Sequence, residues 1–161
     1  MRFRVRFRVL LAFICLSSLQ GCVRESRAEL SDAERRAIAE AVQQRMDGYC
    51  KGDLDFLNGF WADTPGFVIA ADGGIQEGYS YIRDANRTWF AEKPQTIYCS
   101  MSNGHVYVLS PEAASLATEF KWGIVTAAGD TVESYGSWMY VFAFLDGQWR
   151  VVHSAGTHNY R

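Results

Sequence analysis

The chain has 161 residues, 48% of them hydrophobic and 14% aromatic, with three prolines and a formal net charge of −2. That length holds one domain around one core, and that composition excludes a disordered or fibrous chain. Without the first 21 residues, twelve basic side chains face eighteen acidic ones, a net of −6, which suits neither nucleic acid nor an anionic membrane surface.

At the amino terminus, Arg2, Arg4, Arg6 and Arg8 form a basic region, and Val9 to Leu19 an apolar one. The apolar run is shorter than the about 20 residues that cross a bilayer. Leu19-Gln20-Gly21-Cys22 resembles a lipobox: an aliphatic residue, two spacers of which the second is small, then cysteine. An ordinary secretory signal would end in a small-x-small pattern, which this tripeptide before Cys22 does not. The resemblance implies that Cys22 receives diacylglycerol, that residues 1–21 are removed, and that the lipid anchors the protein to a bacterial envelope. In a host with two membranes, Val23, in place of an aspartate, implies the outer membrane, facing the periplasm. Of four cysteines, Cys50 and Cys99 then remain. In an oxidising compartment they either pair, closing a loop of about 50 residues, or stay as separate buried thiols. No CxxC or HxxxH spacing calls for a metal, and no phosphate loop, nucleophile elbow, flavin or nicotinamide motif calls for a cofactor.

Residues 23–30 read as a short polar tether. Ser31-Asp32-Ala33-Glu34 is a capping box, and Ala33, Ala37, Ile38, Ala41, Val42 and Met46 give an apolar stripe at helical spacing. Asp53 can cap a second helix over Leu54 to Phe60. Thr64-Pro65-Gly66 is a turn, Phe67 to Ala70 a strand, Asp72-Gly73-Gly74 a hairpin signal and Ile75 to Glu77 its return. Tyr79 to Glu92 reads as a third helix, stopped by Pro94. Four long strands follow at about 95–109, 114–126, 131–145 and 148–155, joined at Pro111-Glu112, Ala128-Gly129 and Asp146-Gly147.

This order, with Phe60-Trp61-Ala62-Asp63 before the first strand and the ending Asp146-Gly147-Gln148-Trp149-Arg150-Val151-Val152-His153, resembles the nuclear transport factor 2-like superfamily, in its SnoaL-like and ketosteroid-isomerase-like branch. The resemblance covers residues 31–160. It implies an α+β cone, a curved antiparallel sheet wrapped around about three helices with a pocket inside. Fold alone does not name an activity, since isomerases, cyclases, dehydratases, binding modules and assembly domains share it.

A two-residue Asp146-Gly147 loop pairs Phe144 with Trp149, Phe142 with Val151, Tyr140 with His153 and Trp138 with Ala155, an aromatic face worth burying. Pairing Thr126 with Thr131 adds Glu119 and Lys121 to that face and turns Phe120, Trp122, Ile124 and Tyr135 outward, which implies a covered outer face and a homodimer. A bulge in either strand would reverse these assignments. On this register His153 is either a general acid–base or a structural histidine. Glu119 and Lys121 are either proton-shuttling groups tuned by burial or a solvated pair. Asp63 is either the base that the isomerase-like resemblance implies or the start of an Asx-turn. Tyr49 either donates to an oxyanion or packs at the helix–sheet junction. Trp61, Trp89, Trp138, Phe142 and Trp149 read first as core. Tyr49, Trp61, Lys121, Trp138, Tyr140 and Phe142 are the residues that would touch a ligand. His105 is expected exposed or at a bulge; His158 and Asn159 either close the pocket mouth or fray.

Three functions fit: a lipid-anchored binding domain for a small apolar or amphipathic molecule, a cofactor-free isomerase, cyclase or dehydratase, and an envelope assembly module. The catalytic reading requires His153 and one of Glu119 or Asp63 to converge on a common point.

Overall fold

A computed structural model describes residues 30–161 apart from positions 52 and 93. The signal, Cys22 and most of the tether therefore lie outside the described residues. The elements are α1 (Asp32–Tyr49), α2 (Leu54–Phe60), β1 (Val68–Ala71), β2 (Gly74–Glu77), α3 (Tyr79–Ala91), β3 (Gln95–Ser110), β4 (Ala113–Val125), β5 (Thr131–Leu145) and β6 (Gln148–Tyr160). No described helix is long and apolar enough to cross a membrane.

The helix starts follow from their caps. Ser31 Oγ accepts from the Glu34 N–H at 3.3 Å while the Glu34 carboxylate accepts from the Ser31 N–H at 2.8 Å, satisfying two otherwise orphaned donors. The Asp53 carboxylate accepts from the Phe56 N–H at 3.0 Å and starts α2. Along α1 the stripe divides: Ala33 and Ala37 are exposed, whereas Ile38, Ala41, Val42, Met46 and Tyr49 pack on the core. The first turns of α1 thus stand clear of the core.

The six strands run in the order β2-β1-β6-β5-β4-β3. The sheet is mixed rather than wholly antiparallel, because β1 joins β6 in parallel. The segment leaving α2 prepares this pairing: Trp61 bridges Val151, and the Ala62 N–H donates to the Val151 carbonyl at 2.8 Å. Two Asp-Gly hairpins take the left-handed backbone that such turns require, with φ of 50° and 85° at Asp72 and Gly73 and 50° and 78° at Asp146 and Gly147.

Two departures from the expected register set everything that follows. The β4–β5 connection is a five-residue loop, Thr126 to Asp130, so Val125 rather than Thr126 opposes Thr131. In β6 the pairing holds from Leu145–Gln148 to Phe142–Val151, then slips at a bulge, so that Val141 opposes His153 and Tyr140 opposes Ser154. Strand side chains alternate faces, so each one-residue slip turns the rest of a strand over. Phe120 and Ile124 are consequently buried and Trp122 borders the interior, the reverse of the outer-face placement; Tyr135 is exposed as expected.

The core gathers Val42 and Met46 of α1, Phe60 and Trp61, Phe67 and Ile69, and Leu116, Tyr140, Phe142 and Val151 of the sheet. Its centre is an aromatic cluster in which the Phe60 ring meets Trp61, Tyr140 and Phe142 edge-on, at 4.9, 5.8 and 5.9 Å. Such contacts add about 0.5–1.5 kcal/mol each beyond the area buried. Cys50, at the end of α1, is disulfide-bonded to Cys99 of β3, with Cα atoms 5.5 Å apart. Closing a loop of that length contributes about 4 kcal/mol in the chain-entropy view and ties the helix to the sheet.

Candidate active site

Between the helices and the sheet lies a cavity of about 460 Å³, within the range of about 300–1,000 Å³ that small ligands occupy. Tyr49 of α1 and Trp61 form one wall, Tyr81, Ile82 and Ala85 of α3 another, and Met101, Phe120, Trp122, Trp138 and Tyr140 the sheet side. The Cys50–Cys99 bridge borders it through Cys99.

Two polar residues at the β1–β2 turn and the end of β6 meet in this wall. Asp72 Oδ2 lies 2.7 Å from His158 Nδ1, and Asp72 Oδ1 accepts the His158 main-chain N–H, also at 2.7 Å. An ionised carboxylate only accepts, so Nδ1 carries a proton and Nε2 is the nitrogen left to exchange one. Nε2 has no partner among the described residues. The imidazole is gripped by rings: Trp138 at 4.8 Å, Phe120 at 5.2 Å and Tyr160, nearly parallel, at 5.7 Å. The main-chain and side-chain hydrogen bonds from His158 hold the Asp72 carboxyl below its ordinary range, with a small opposing contribution from burial.

The inner part of the cavity carries neutral donors. Burial raises the Tyr49 phenol, and raises that of Tyr140 well above its ordinary value, with a further push from Tyr49. Both stay protonated at neutral pH and can donate to an oxygen. Tyr49 is enclosed by protein yet keeps an accessible edge, because that edge faces the cavity. The indole N–H groups of Trp61 and Trp138 have no partner among the described residues.

The candidates named from the sequence separate into two groups. Tyr49, Trp61, Trp138 and Tyr140 line the cavity, and the exposed Lys121 borders its rim. Phe142 does not reach it: the side chain is fully buried in the aromatic cluster. The expected catalytic set does not converge. The bulge after Val151 turns His153 outward opposite Val141, where it is exposed. The shifted β4–β5 loop turns Glu119 outward, where its carboxylate accepts from Asn103 Nδ2 at 2.7 Å. Asp63 is an exposed loop residue away from the cavity lining. His105 is exposed beside an irregular stretch of β3, as anticipated. Asp72 was legible only as a turn residue; His158 was read as a tail residue that either closes the pocket mouth or frays, and it lies on the cavity lining. Both are site residues because β6 runs on to Tyr160 and carries its alternation with it. Among the described residues no cluster of three or more acidic, histidine or cysteine side chains could hold a metal ion.

A six-stranded curved sheet closed by three helices around an aromatic cavity defines an α+β cone of the nuclear transport factor 2-like type. The chain belongs to the SnoaL-like domain family, whose model matches residues 38–157. Among solved structures, a conserved protein of Planctomyces limnophilus superposes with a TM-score of 0.68 at 16% identity, covering 79% of this chain and 100% of that one. A hexachlorocyclohexane dehydrochlorinase (LinA) Type2 gives 0.64 at 16%, covering 81% and 92%. A nuclear transport factor 2-like superfamily protein of Salmonella enterica gives 0.59 at 18%, covering 77% and 89%. At these identities the likeness is one of fold. No curated protein matches the chain.

The Asp72–His158 bond has a pH signature. A carboxyl depressed in the folded state stabilises the fold above its unfolded pKa, and that contribution is lost as pH falls through the folded value. Asp72→Asn should therefore be modestly less stable than the native chain at pH 7, since the pair is partly exposed. In urea unfolding series the gap should close as pH drops below about 3.9. An undiminished gap at pH 2 would assign the loss to packing instead.

Proposed function

We propose that this chain is an envelope protein, anchored through a lipid on Cys22 at a membrane facing the periplasm, whose cavity binds a small, largely apolar, ring-containing molecule. The observation that carries the reading is the cavity wall: the rings of Trp61, Phe120, Trp122, Trp138 and Tyr140 around about 460 Å³, with the polar groups of Asp72, Gln76, Lys121 and His158 also on its lining. Flat rings offer large contact area at small entropic cost to a planar guest. The phenols of Tyr49 and Tyr140 on the lining favour a guest that also carries an acceptor oxygen. Membrane tethering fits an apolar or amphipathic ligand drawn from the envelope.

A second reading is supported by the Asp72–His158 pair. A histidine oriented by a carboxylate, with its other nitrogen free, is the equipment of a general base. Neutral phenols across the cavity could hold a carbonyl oxygen as charge develops on it. Together they suit removal of a proton from carbon next to a carbonyl, followed by isomerisation or elimination, with no cofactor required. That a dehydrochlorinase shares this fold supports such chemistry being compatible with it.

Three measurements test these readings. Metabolic labelling with an alkynyl fatty acid should mark the native chain and place it in the membrane fraction. Cys22→Ser should lose both; retained label would remove the anchor from the reading. Titration with 1-naphthol should quench tryptophan emission saturably, and Phe120→Arg, which sets a charge in the cavity, should abolish this while leaving the circular dichroism unchanged. Non-saturable quenching that survives Phe120→Arg would sink the binding site. For the catalytic reading, proton NMR of 2-tetralone in D₂O should show exchange of its α-hydrogens above the buffer rate. His158→Ala should slow it by about 10²-fold or more, and Tyr49→Phe should slow it by about 10²-fold while the naphthol titration persists. Exchange at the buffer rate with intact binding would leave a binding protein.

A further inference from the structure

The chain enters the fold at one end of the sheet. Arg35, in the first turns of α1, donates through Nη1 to the Val108 carbonyl at 3.1 Å, which sets the start of the helix near the last residues of β3. Helix α1 then runs toward the opposite end, where Cys50 meets Cys99. The cavity lies toward that far end, with Lys121, Asp72 and His158 at its rim.

The entry end carries large apolar side chains in solvent. Tyr107 and Leu109, near the end of β3, are 68% and 58% exposed and share a face. Phe144, near the end of β5, is 43% exposed, and its main-chain N–H donates to the Glu112 carbonyl in the β3–β4 turn at 2.9 Å. Ser110 opposes Ala113 and Ala113 opposes Ala143, so the three side chains gather around one tip of the sheet. The adjoining turns hold Glu112 and Asp146.

We propose that this tip seats on the bilayer surface, with Tyr107, Leu109 and Phe144 among the lipid headgroups. The proposal rests on the lipid anchor at Cys22. Nine residues lead from Cys22 to Ser31, a span of at most about 32 Å. A bilayer held that close to the start of α1 meets the residues level with it before any others. Aromatic and aliphatic side chains settle at the headgroup boundary, and the tether supplies the local concentration that a small patch otherwise lacks. The adjoining carboxylates and the net −6 of the anchored chain leave apolar burial, not charge, as the attraction, so neutral lipid suffices. The cavity rim then points away from the membrane, and a guest reaches it through the aqueous space rather than straight from the supporting leaflet.

Quenching by brominated lipid tests this, because bromine on an acyl chain quenches only the indoles it reaches. The full chain and its variants Leu109→Trp, Tyr107→Trp and Ile97→Trp are isolated from membranes and floated with phosphatidylcholine vesicles whose acyl chains are dibrominated. Ile97, 52% exposed near the other end of β3, is the control. Relative to unbrominated vesicles, Leu109→Trp should lose most of the emission it adds to the native chain, with unchanged circular dichroism. Tyr107→Trp, further from the turn, should lose a smaller part, and Ile97→Trp should lose none. Chains that carry lipid and float, yet keep the emission added at both 107 and 109, overturn the seating and leave the anchor standing. Loss at Ile97→Trp instead also overturns it, by seating the opposite end. A chain without lipid that stays off the vesicles removes the anchor, and the seating with it.

Discussion

The bulge after Val151 is the constraint on which the site depends. Before it, Trp149 and Val151 point inward against Phe144 and Phe142. An unbroken strand would next send His153 inward and His158 outward. The inserted residue inverts the order, so Ser154, Gly156 and His158 follow Val151 on the inner face. The bulge removes one histidine from the interior and delivers another, five residues later, to the rim where the β1–β2 turn arrives.

The delivery works because neighbouring residues share the new parity. Gly156 opposes Trp138, and the space a Cβ would take there is filled by the indole ring. Trp138 can then lie down along β6 and bring its face to His158. Asp72 is placed by the parallel pairing of β1 with β6, which sets Ala71 beside Gly156 and leaves the turn residue level with His158. Its left-handed backbone, φ 50°, costs a non-glycine residue little when the residue is aspartate. Turn, bulge and glycine thus form one arrangement. Gly156→Val should displace Trp138 and with it the grip on His158, although neither residue is itself a base.

How far the sequence could be read follows from the same physics. Caps, Asp-Gly turns and the alternation of apolar residues are local signals. They placed all three helices and all six strands within a residue or two, except that β6 continues to Tyr160, and they marked the aromatic wall at Tyr49, Trp61, Trp138 and Tyr140. Facing on the long strands is not local. It depends on whether the loop after Val125 has two residues or five, and on a single extra residue near Val152 within an apolar run that accepts either register. His153 and Glu119 were read through those two points and were turned away from the cavity by them, whereas Lys121, exposed, still borders its rim. Asp72 and His158 lie 86 residues apart, and nothing at either position alone announces the other.

The cavity walls differ in how firmly they are held, and the difference bears on what the site can accept. At the inner end, α1 is fixed by the buried Val42 and Met46 and stapled to β3 through Cys50 and Cys99. At the opposite wall, α3 has no buried residue and no side-chain cap at its start, where Gly78 takes a φ of 85°. One anchor is the Tyr79 hydroxyl, which donates to the Asn58 carbonyl at 3.1 Å; another is the edge-on contact of Trp89 with Trp122. Local stability follows buried apolar contact, so α3 is the element that opens at least cost. Its apolar side, with Tyr81 and Ile82, faces the cavity. A guest occupying that space would bury the face that the protein alone leaves half-covered. On the proposed reading, a guest in that space would add its contacts to the few that hold α3, and it would meet Tyr49 and Tyr140 at the inner end.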